Sequence, residues 1–203
     1  MNSIDKLSEM FAKFPGIGPR QAKRFVYFLL SRSGSFPAEL ASAIEALKKE
    51  IVQCSECLKF FAKNGHETKL CSICSDDTRD SSLLMVVSRD VDMEAVEKSG
   101  SYHGYYFVLG GVVPILEKEP EKRIRLKELD SKLKKNGVKE VILAMNANND
   151  GENTAEFIKE RIKFLCQDNI LTISTLGRGL STGAELEYAD PETLKNAFLH
   201  RTK

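Results

Sequence analysis

The sequence lacks tryptophan, has no long apolar run, and carries a formal net charge of only +1 over 203 residues. No segment approaches the roughly 20 apolar residues that a membrane-spanning helix requires. The first residues also lack the basic and apolar regions of a signal peptide. These absences predict a cytoplasmic protein with no membrane partner. The length allows one large domain or two smaller ones, and the local distribution of charge is more informative than its sum.

Cysteine is scarce, but four of the five cysteines form two Cys-x-x-Cys pairs, Cys54/Cys57 and Cys71/Cys74. Each pair can bind a metal ion from a tight turn, and two such turns supply the tetrahedral sulfur site that Zn²⁺ prefers. Two disulfides or free thiols are the alternative, but disulfides need an oxidising compartment that nothing in the sequence indicates. Four thiolates close the coordination sphere, which favours one structural zinc ion per chain over a catalytic one.

The first 52 residues have helical periodicity, and a glycine-rich connection separates the first two predicted helices. This connection reads Phe14-Pro-Gly-Ile-Gly-Pro-Arg20. Gly16 and Gly18 let another chain approach the main-chain amides closely, and Pro19 suits the first turn of the next helix. Amides exposed at a helix N-terminus are a ready site for a phosphate group.

The charges around this connection support a phosphate-binding interpretation. From Met10 to Ala38 there are five basic residues and no acidic one. Arg20 and Arg24 are four residues apart and share a helix face, with Lys23 beside them. Such cations bind a nucleic-acid backbone without reading its sequence. A solvated basic face is the alternative, but the Pro-Gly-Ile-Gly-Pro core resembles the helix-hairpin-helix motif of non-specific DNA-binding proteins, so we expect DNA contact here.

After the cysteines, apolar strand patterns alternate with amphipathic helix patterns. Strands are predicted near residues 83–87, 105–109, 141–145 and 171–176. The alternation predicts a mainly parallel sheet that is covered on both faces, with sites at the carboxyl ends of its strands.

Two acidic residues, Asp150 and Glu152, follow the third of these strands in a glycine-containing loop that opens a helix. Paired carboxylates at a strand end can hold Mg²⁺ for phosphoryl-transfer chemistry. Acidic residues in a first helical turn also stabilise the helix dipole and need no further role. The spacing alone does not separate the two interpretations.

These features, in this order, resemble the RecR family of bacterial recombination mediators over essentially the whole chain. The segments that carry the resemblance are the Pro-Gly hairpin, the four cysteines, residues 100–111, residues 140–144 leading into Asp150-Gly-Glu152, and the glycine-rich residues 177–190. The implied architecture is α/β and multidomain. It has a helix-hairpin-helix DNA-binding region at 1–52, a four-cysteine zinc module at 53–78, a Toprim-like domain with a mainly parallel sheet at 79–176 and a C-terminal oligomerisation segment at 177–203.

The resemblance implies a non-enzymatic DNA-repair protein that forms a ring-like homo-oligomer, typically a tetramer, on double- or single-stranded DNA. Such proteins act with RecO, and in many bacteria RecF, to load RecA onto single strands coated by single-strand-binding protein. Nucleoid association during repair is implied as well. The acidic loop, Asp150 and Glu152, is the expected RecO-binding site. The expected DNA-binding residues are Gly16, Gly18, Arg20, Lys23 and Arg24.

The chain departs from the Toprim pattern of topoisomerases and primases at one position. Those enzymes place a glutamate after the first strand, where this sequence has Ser88. Asp90 and Asp92 are displaced from that position, and Arg89 is a poor neighbour for a cation. A further departure is Ser181, where the family commonly has proline. A Mg²⁺-dependent nuclease or topoisomerase-like enzyme is the alternative function, and a structural zinc protein without a DNA role is a third.

Overall fold

The computed structural model describes residues 1–32, 34–63, 69–134, 137–165 and 171–201. These residues divide into two compact units. One contains Met1–Val52 with Ala62 and Lys63, and the other contains Gln53–Phe61 and the described residues from 69 onward. Within the described ranges, no helix is long and apolar enough to cross a membrane.

Three helices form most of the first unit, as the periodicity predicts. They are α1 (Ser3–Phe11), α2 (Pro19–Ser31) and α3 (Ser35–Glu50). α2 begins at a proline, whose fixed φ suits the first helical position. The ring of Phe11 on α1 meets that of Phe25 on α2 edge-on, with centroids 5.7 Å apart. Aromatic packing therefore closes the two helices around their glycine-rich connection.

Two sheets follow in the chain. β1 (Ile51–Gln53) and β2 (Phe60–Ala62) form a short two-stranded sheet that the sequence did not predict. β3 (Asp80–Val87), β4 (Gly104–Val108), β5 (Glu140–Ala144) and β6 (Thr172–Thr175) form a second sheet in the order β4-β3-β5-β6. Each neighbouring pair in the second sheet is parallel. All four predicted strands and the parallel sheet are confirmed.

Helices and the cysteines cover the two faces of the parallel sheet. The covering helices are α4 (Asp90–Ser99), α5 (Leu126–Leu133) and α6 (Asn149–Leu165). A further helix, α7 (Pro191–Leu199), has no buried residue, and short 3₁₀ turns lie at Pro120–Lys122 and Leu186–Tyr188. Along β3, successive side chains point to opposite faces. Leu84 and Val86 pack with residues of α5 and α6, whereas Met85 and Val87 pack with α4 and the cysteines. The prediction of a sheet covered on both faces is confirmed.

Candidate metal centre and nucleic-acid interface

The four cysteines of the two predicted pairs converge on one point. Their Sγ atoms all lie within 4.8 Å of one another, and those of Cys57 and Cys71 are 3.6 Å apart. Sulfurs bound at ~2.3 Å to one tetrahedral zinc ion would be about 3.8 Å apart, so the cluster fits an ion of that size. Three of the four are buried and Cys74 is half-buried. Among the described residues, this is the only group of three or more His, Cys, Asp or Glu side chains that could hold a metal ion.

Two tight turns present the thiols. The carbonyl of Cys54 accepts the Leu58 N–H at 3.1 Å, and that of Cys71 accepts the Ser75 N–H at 3.0 Å. The backbone N–H of Cys71 also donates to the Sγ of Cys54 at 3.4 Å. Hydrogen bonds from the other cysteines, that of Cys57 above all, lower the pKa of the Cys54 thiol. Hydrogen bonds within the same cluster, those with Cys54 above all, raise the pKa of the Cys57 and Cys74 thiols, so these two would give up their protons when a metal ion binds.

The first of these turns is bound to the end of β4. The Val108 N–H donates to the carbonyl of Cys57 at 2.8 Å. Arg125, the residue before α5, donates from Nη1 to the carbonyls of Leu58 at 2.9 Å and Val108 at 3.0 Å. Leu58 has a positive φ of 63°, a conformation that is costly for a residue with a side chain. The sequence spacing gave no indication that Arg125 would contact the cysteine module.

The glycine-rich connection between α1 and α2 is an open hairpin. Gly16 has φ of +75°, whereas Gly18 is extended at the N-cap of α2. A Cβ atom placed on either glycine would meet no other atom within 4 Å. The hairpin is closed by the Ile17 N–H, which donates to the carbonyl of Phe14 at 3.1 Å. The hairpin leads directly into the N-terminus of α2, and Gly16 and Gly18 are both exposed.

The three cations predicted to bind DNA lie on the helix that this hairpin opens. Arg20, Lys23 and Arg24 are all exposed on α2. The guanidinium of Arg24 is 3.4 Å from the side-chain oxygen of Gln21, an uncharged group on the same helix. The structure therefore combines an open glycine hairpin and exposed cations in one helix-hairpin-helix element.

The acidic loop forms the first turn of α6, at the carboxyl end of β5. The Gly151 N–H donates to the Asn148 side chain at 2.8 Å, which caps the helix. A Cβ atom at Gly151 would overlap the carbonyl oxygen of Asn146, so only glycine fits between the two acidic residues. Asp150 and Glu152 thus occupy the strand end where the sequence places them.

Glu152 forms an ion pair that the spacing could not reveal. Its Oε1 lies 2.5 Å from Nη1 of Arg178, in the glycine-rich segment after β6. The same guanidinium nitrogen lies 3.6 Å from Oε1 of Glu192, in the first turn of α7. The acidic loop and the C-terminal segment are therefore joined by one cation between two carboxylates.

The end of β3 differs from a Toprim cation site. Ser88 is buried, and its hydroxyl donates to the sulfur of Met145 at 3.2 Å. The carboxylate of Asp90 accepts the Phe60 N–H at 2.8 Å, and that of Asp92 accepts the N–H of the N-cap residue of α4 at 3.0 Å. Both of these carboxylates therefore already bind backbone amides.

Comparison with known protein families matches three segments of the chain. Residues 4–48 match the RecR helix-hairpin-helix model, residues 82–176 match the Toprim domain, and residues 179–202 match the RecR C-terminal model. The matched segments include the hairpin, the parallel sheet and the glycine-rich segment that follows it.

Curated relatives match nearly the full length. The chain is 39% identical to Recombination protein RecR of Staphylococcus saprophyticus over 202 residues, which cover 98% of this chain and 96% of the relative. Identity to the protein of the same name from Staphylococcus haemolyticus is 38% with the same coverage. The chain is also 37% identical to Recombination protein RecR of Chloroflexus aurantiacus over 195 residues, which cover 96% of this chain and 91% of the relative. With this identity along almost all of its length, the chain belongs to the RecR family of recombination proteins.

Proposed function

We propose that this protein is a non-enzymatic recombination mediator that binds DNA during repair as a ring-like homo-oligomer. With RecO, and with RecF where it is present, it promotes the loading of RecA onto single strands coated by single-strand-binding protein. The observation that carries the proposal is the open glycine hairpin with exposed cations on the helix that it opens.

The hairpin supports DNA binding without sequence preference. The amides at the N-terminus of α2 can bind one backbone phosphate, and Arg20, Lys23 and Arg24 can neutralise its neighbours. Gly16 and Gly18 have no atoms close to them, so a sugar-phosphate backbone can approach the main chain. None of these groups needs to reach a base edge, and contacts of this kind position a protein without specifying sequence.

The metal is proposed to be Zn²⁺ in a structural role. Four thiol ligands with tetrahedral spacing are typical of structural zinc sites, and a closed sulfur set has no position for a reacting water. The bound ion would hold together the two turns that carry Cys54 and Cys71, in addition to their packing against the sheet.

Asp150 and Glu152 are proposed to bind RecO. A pair of carboxylates at the rim of a sheet attracts a basic protein surface and accelerates the encounter. Asp150 is half-buried and Glu152 exposed, so both remain within reach of a partner.

We propose that the protein has no enzymatic activity, because the carboxylates of a Toprim cation site are either replaced or already bound to other groups. Ser88 replaces the leading glutamate of a Toprim site, and its hydroxyl is engaged by Met145. Asp90 and Asp92 bind backbone amides, while Glu152 is paired with Arg178. This arrangement favours a binding role over metal-assisted phosphoryl transfer.

A titration of the full-length protein into supercoiled plasmid with Mg²⁺ tests the proposal. The products are separated on a native gel, and again after the protein is removed. We expect a salt-sensitive mobility shift and unchanged plasmid topology afterwards. Arg20→Ala/Arg24→Ala should weaken the shift and reduce the slope of log affinity against log salt by about 2. Lys48→Ala/Lys49→Ala, at the end of α3, is the matched control and should bind as the wild type does.

Two results would contradict the proposal. Nicked, linear or relaxed plasmid that disappears with Asp150→Ala would favour the Mg²⁺-dependent Toprim enzyme. A double arginine variant that binds as strongly as the wild type would remove the hairpin from the DNA interface.

A further inference from the structure

A pocket of about 400 Å³ opens at the carboxyl ends of β5 and β6, beside the first turns of α6 and α7. Its apolar lining includes the buried Leu143 and the half-buried Met145, beside polar groups such as Asn196. Its rim is charged and includes the half-buried Arg178 and the exposed Glu152 and Glu192. Apolar side chains next to a charged rim suit a long basic side chain, which has an apolar stem and a charged end.

Arg178 is the cation that this rim binds in the isolated chain. Its Nη1 is 2.5 Å from Glu152 and 3.6 Å from Glu192. One guanidinium faces two carboxylates, so the rim keeps an excess of negative charge. The three side chains come from three separate elements, namely the segment after β6, the first turn of α6 and the first turn of α7.

We propose that this pocket receives an arginine or lysine side chain of a basic partner protein, and that Arg178 occupies the rim as an intramolecular competitor. The inference rests on the proposed function, in which the acidic loop recruits RecO. It adds Glu192 to the partner-binding surface. It also gives the glycine-rich segment that carries Arg178 a role in regulating access to Glu152.

The exposure of the three side chains makes this exchange feasible. The side chain of Arg178 is 37% exposed, and those of Glu152 and Glu192 are 48% and 69% exposed. Ion pairs that are accessible to water contribute little to stability, because solvent screens them and the side chains lose freedom. A partner side chain can therefore displace Arg178 at small cost. It would regain the same charge-assisted hydrogen bonds and bury its stem against Met145.

The test is the affinity of the full-length protein for purified RecO, measured by titration calorimetry. The titration is done at about 0.1 M and at about 1 M salt, because the higher salt concentration screens exposed charges. Arg178→Gln removes the competing charge and keeps most of the side-chain length. We expect it to bind RecO about two- to fivefold more tightly at low salt, the range that an exposed ion pair supports. Arg178→Lys, the matched control, should bind as the wild type does. The gain should disappear at high salt and in Arg178→Gln/Glu192→Gln.

Equal or weaker binding by Arg178→Gln would overturn the inference. If Asp150→Ala still reduced RecO binding in that case, the proposed function would stand. If neither Asp150→Ala nor Glu152→Gln changed RecO binding, the proposed role of the acidic loop would fail, and this inference with it.

A second variant keeps the test decisive if Arg178→Gln alters folding or subunit number, which circular dichroism and light scattering would show. Glu192→Gln leaves the pair between Arg178 and Glu152 in place. It should weaken RecO binding about twofold at low salt, again from the strength of one exposed ion pair. Unchanged affinity in this variant would overturn the inference.

Discussion

At the scale of single residues, Arg125 connects the cysteine site to the parallel sheet. It donates from one nitrogen to the carbonyls of Leu58 and Val108, which lie beyond Cys57 and at the end of β4. Gln53 donates to the same Leu58 carbonyl at 3.0 Å. Because Leu58 is held at a positive φ, these donors fix a backbone conformation that the chain would not otherwise favour.

Arg125→Ala should therefore destabilise the cysteine module. Two hydrogen bonds from a charged donor are lost, and we expect the free energy of unfolding in urea to fall by about 2–3 kcal/mol. Release of the metal to a chelating dye should be faster than from the wild type. Arg123→Ala is the control, because that side chain is 61% exposed and its ion pair with Glu117 should contribute less than about 1 kcal/mol. Equal effects of the two substitutions would contradict the role given to Arg125.

Cys71→Ser should remove the bound metal. Its thiol is one of the four ligands, and metal binding supplies on the order of 10–16 kcal/mol of apparent folding free energy in small zinc modules. Metal analysis of the purified protein should give one zinc ion per wild-type chain and a large loss in the variant, with a lower melting temperature. Cys166→Ser is the control. Cys166 lies outside the described residues and outside the four-cysteine motif, so its substitution should leave the zinc content unchanged.

At the scale of elements, the two glycines of the hairpin between α1 and α2 are needed for different reasons. Position 16 needs glycine because its φ of +75° is costly for a residue with a side chain. Gly18 has φ of −80° and ψ of 167°, which any residue adopts, and nothing surrounds it. Glycine is a favoured N-cap residue at position 18, and the open space around it is also what we expect where a DNA backbone approaches the chain.

This difference predicts opposite results for two alanine variants. Gly16→Ala should lower the free energy of unfolding by about 1–2 kcal/mol, the cost of a left-handed conformation for a residue with a side chain. Gly18→Ala should cost less than about 1 kcal/mol, because alanine is a poorer N-cap than glycine, and should still weaken DNA binding, because its methyl group would stand where a phosphate approaches the amides. Thermal melts and plasmid binding measure the two effects. Gly18→Ala binding DNA as the wild type does would exclude close backbone contact at this position.

Most regular elements could be predicted from the sequence because their signals are local. The apolar runs of the parallel strands and the helical spacing in the first 52 residues each lie within one segment. The two cysteine pairs are equally local. The strands β1 and β2 could not be predicted, because three residues each are too few to show an alternating apolar pattern. The sequence did not predict α7. This helix follows a segment rich in glycine and charged residues, in which no helical spacing is visible.

The contacts that connect the sites could not be predicted. Arg125 lies 67 residues from Leu58, and Arg178 lies 26 residues from Glu152. No spacing rule relates residues at such separations, and exposed arginines are common. The strand order, in which β6 lies beside β5, brings Arg178 to Glu152. The N–H of Arg125 donates to the carbonyl of Leu109 at 2.9 Å, which holds Arg125 at the end of β4. The domain boundaries at residues 52, 78 and 176 remain predictions.

At the scale of the whole molecule, the C-terminal segment exposes several large apolar side chains. The exposed side chains include Leu186, Tyr188, Phe198 and Leu199, all at least 64% exposed. Where such side chains adjoin one another, they mark sites of protein contact. Their exposure supports the proposal that the segment joins subunits through them, with Arg178 and Glu192 left accessible at the pocket rim.

Phe198→Asp/Leu199→Asp should therefore shift the protein to a smaller assembly. A charge at a buried subunit contact is costly to desolvate, so the assembled state loses stability. Light scattering coupled to gel filtration should give a tetramer for the wild type and fewer subunits for the variant. Leu116→Asp is the control, since that side chain is 90% exposed on a loop outside the segment. A variant with the wild-type mass would show that other surfaces hold the ring together.

The hydrogen bond from Val108 to Cys57 has a consequence for how the protein is made in the cell. All four cysteines leave the ribosome before β4 and α5, the elements against which the first cysteine turn rests. Domains fold as they are synthesised, beginning from the N-terminus. The ion can therefore bind a nascent chain whose later partners do not yet exist. Once the sheet has formed, three of the four thiols are buried and Cys74 is half-buried, so we expect an ion to enter the mature protein more slowly than the nascent chain. The metal content of the mature protein should then depend on the zinc supply during translation.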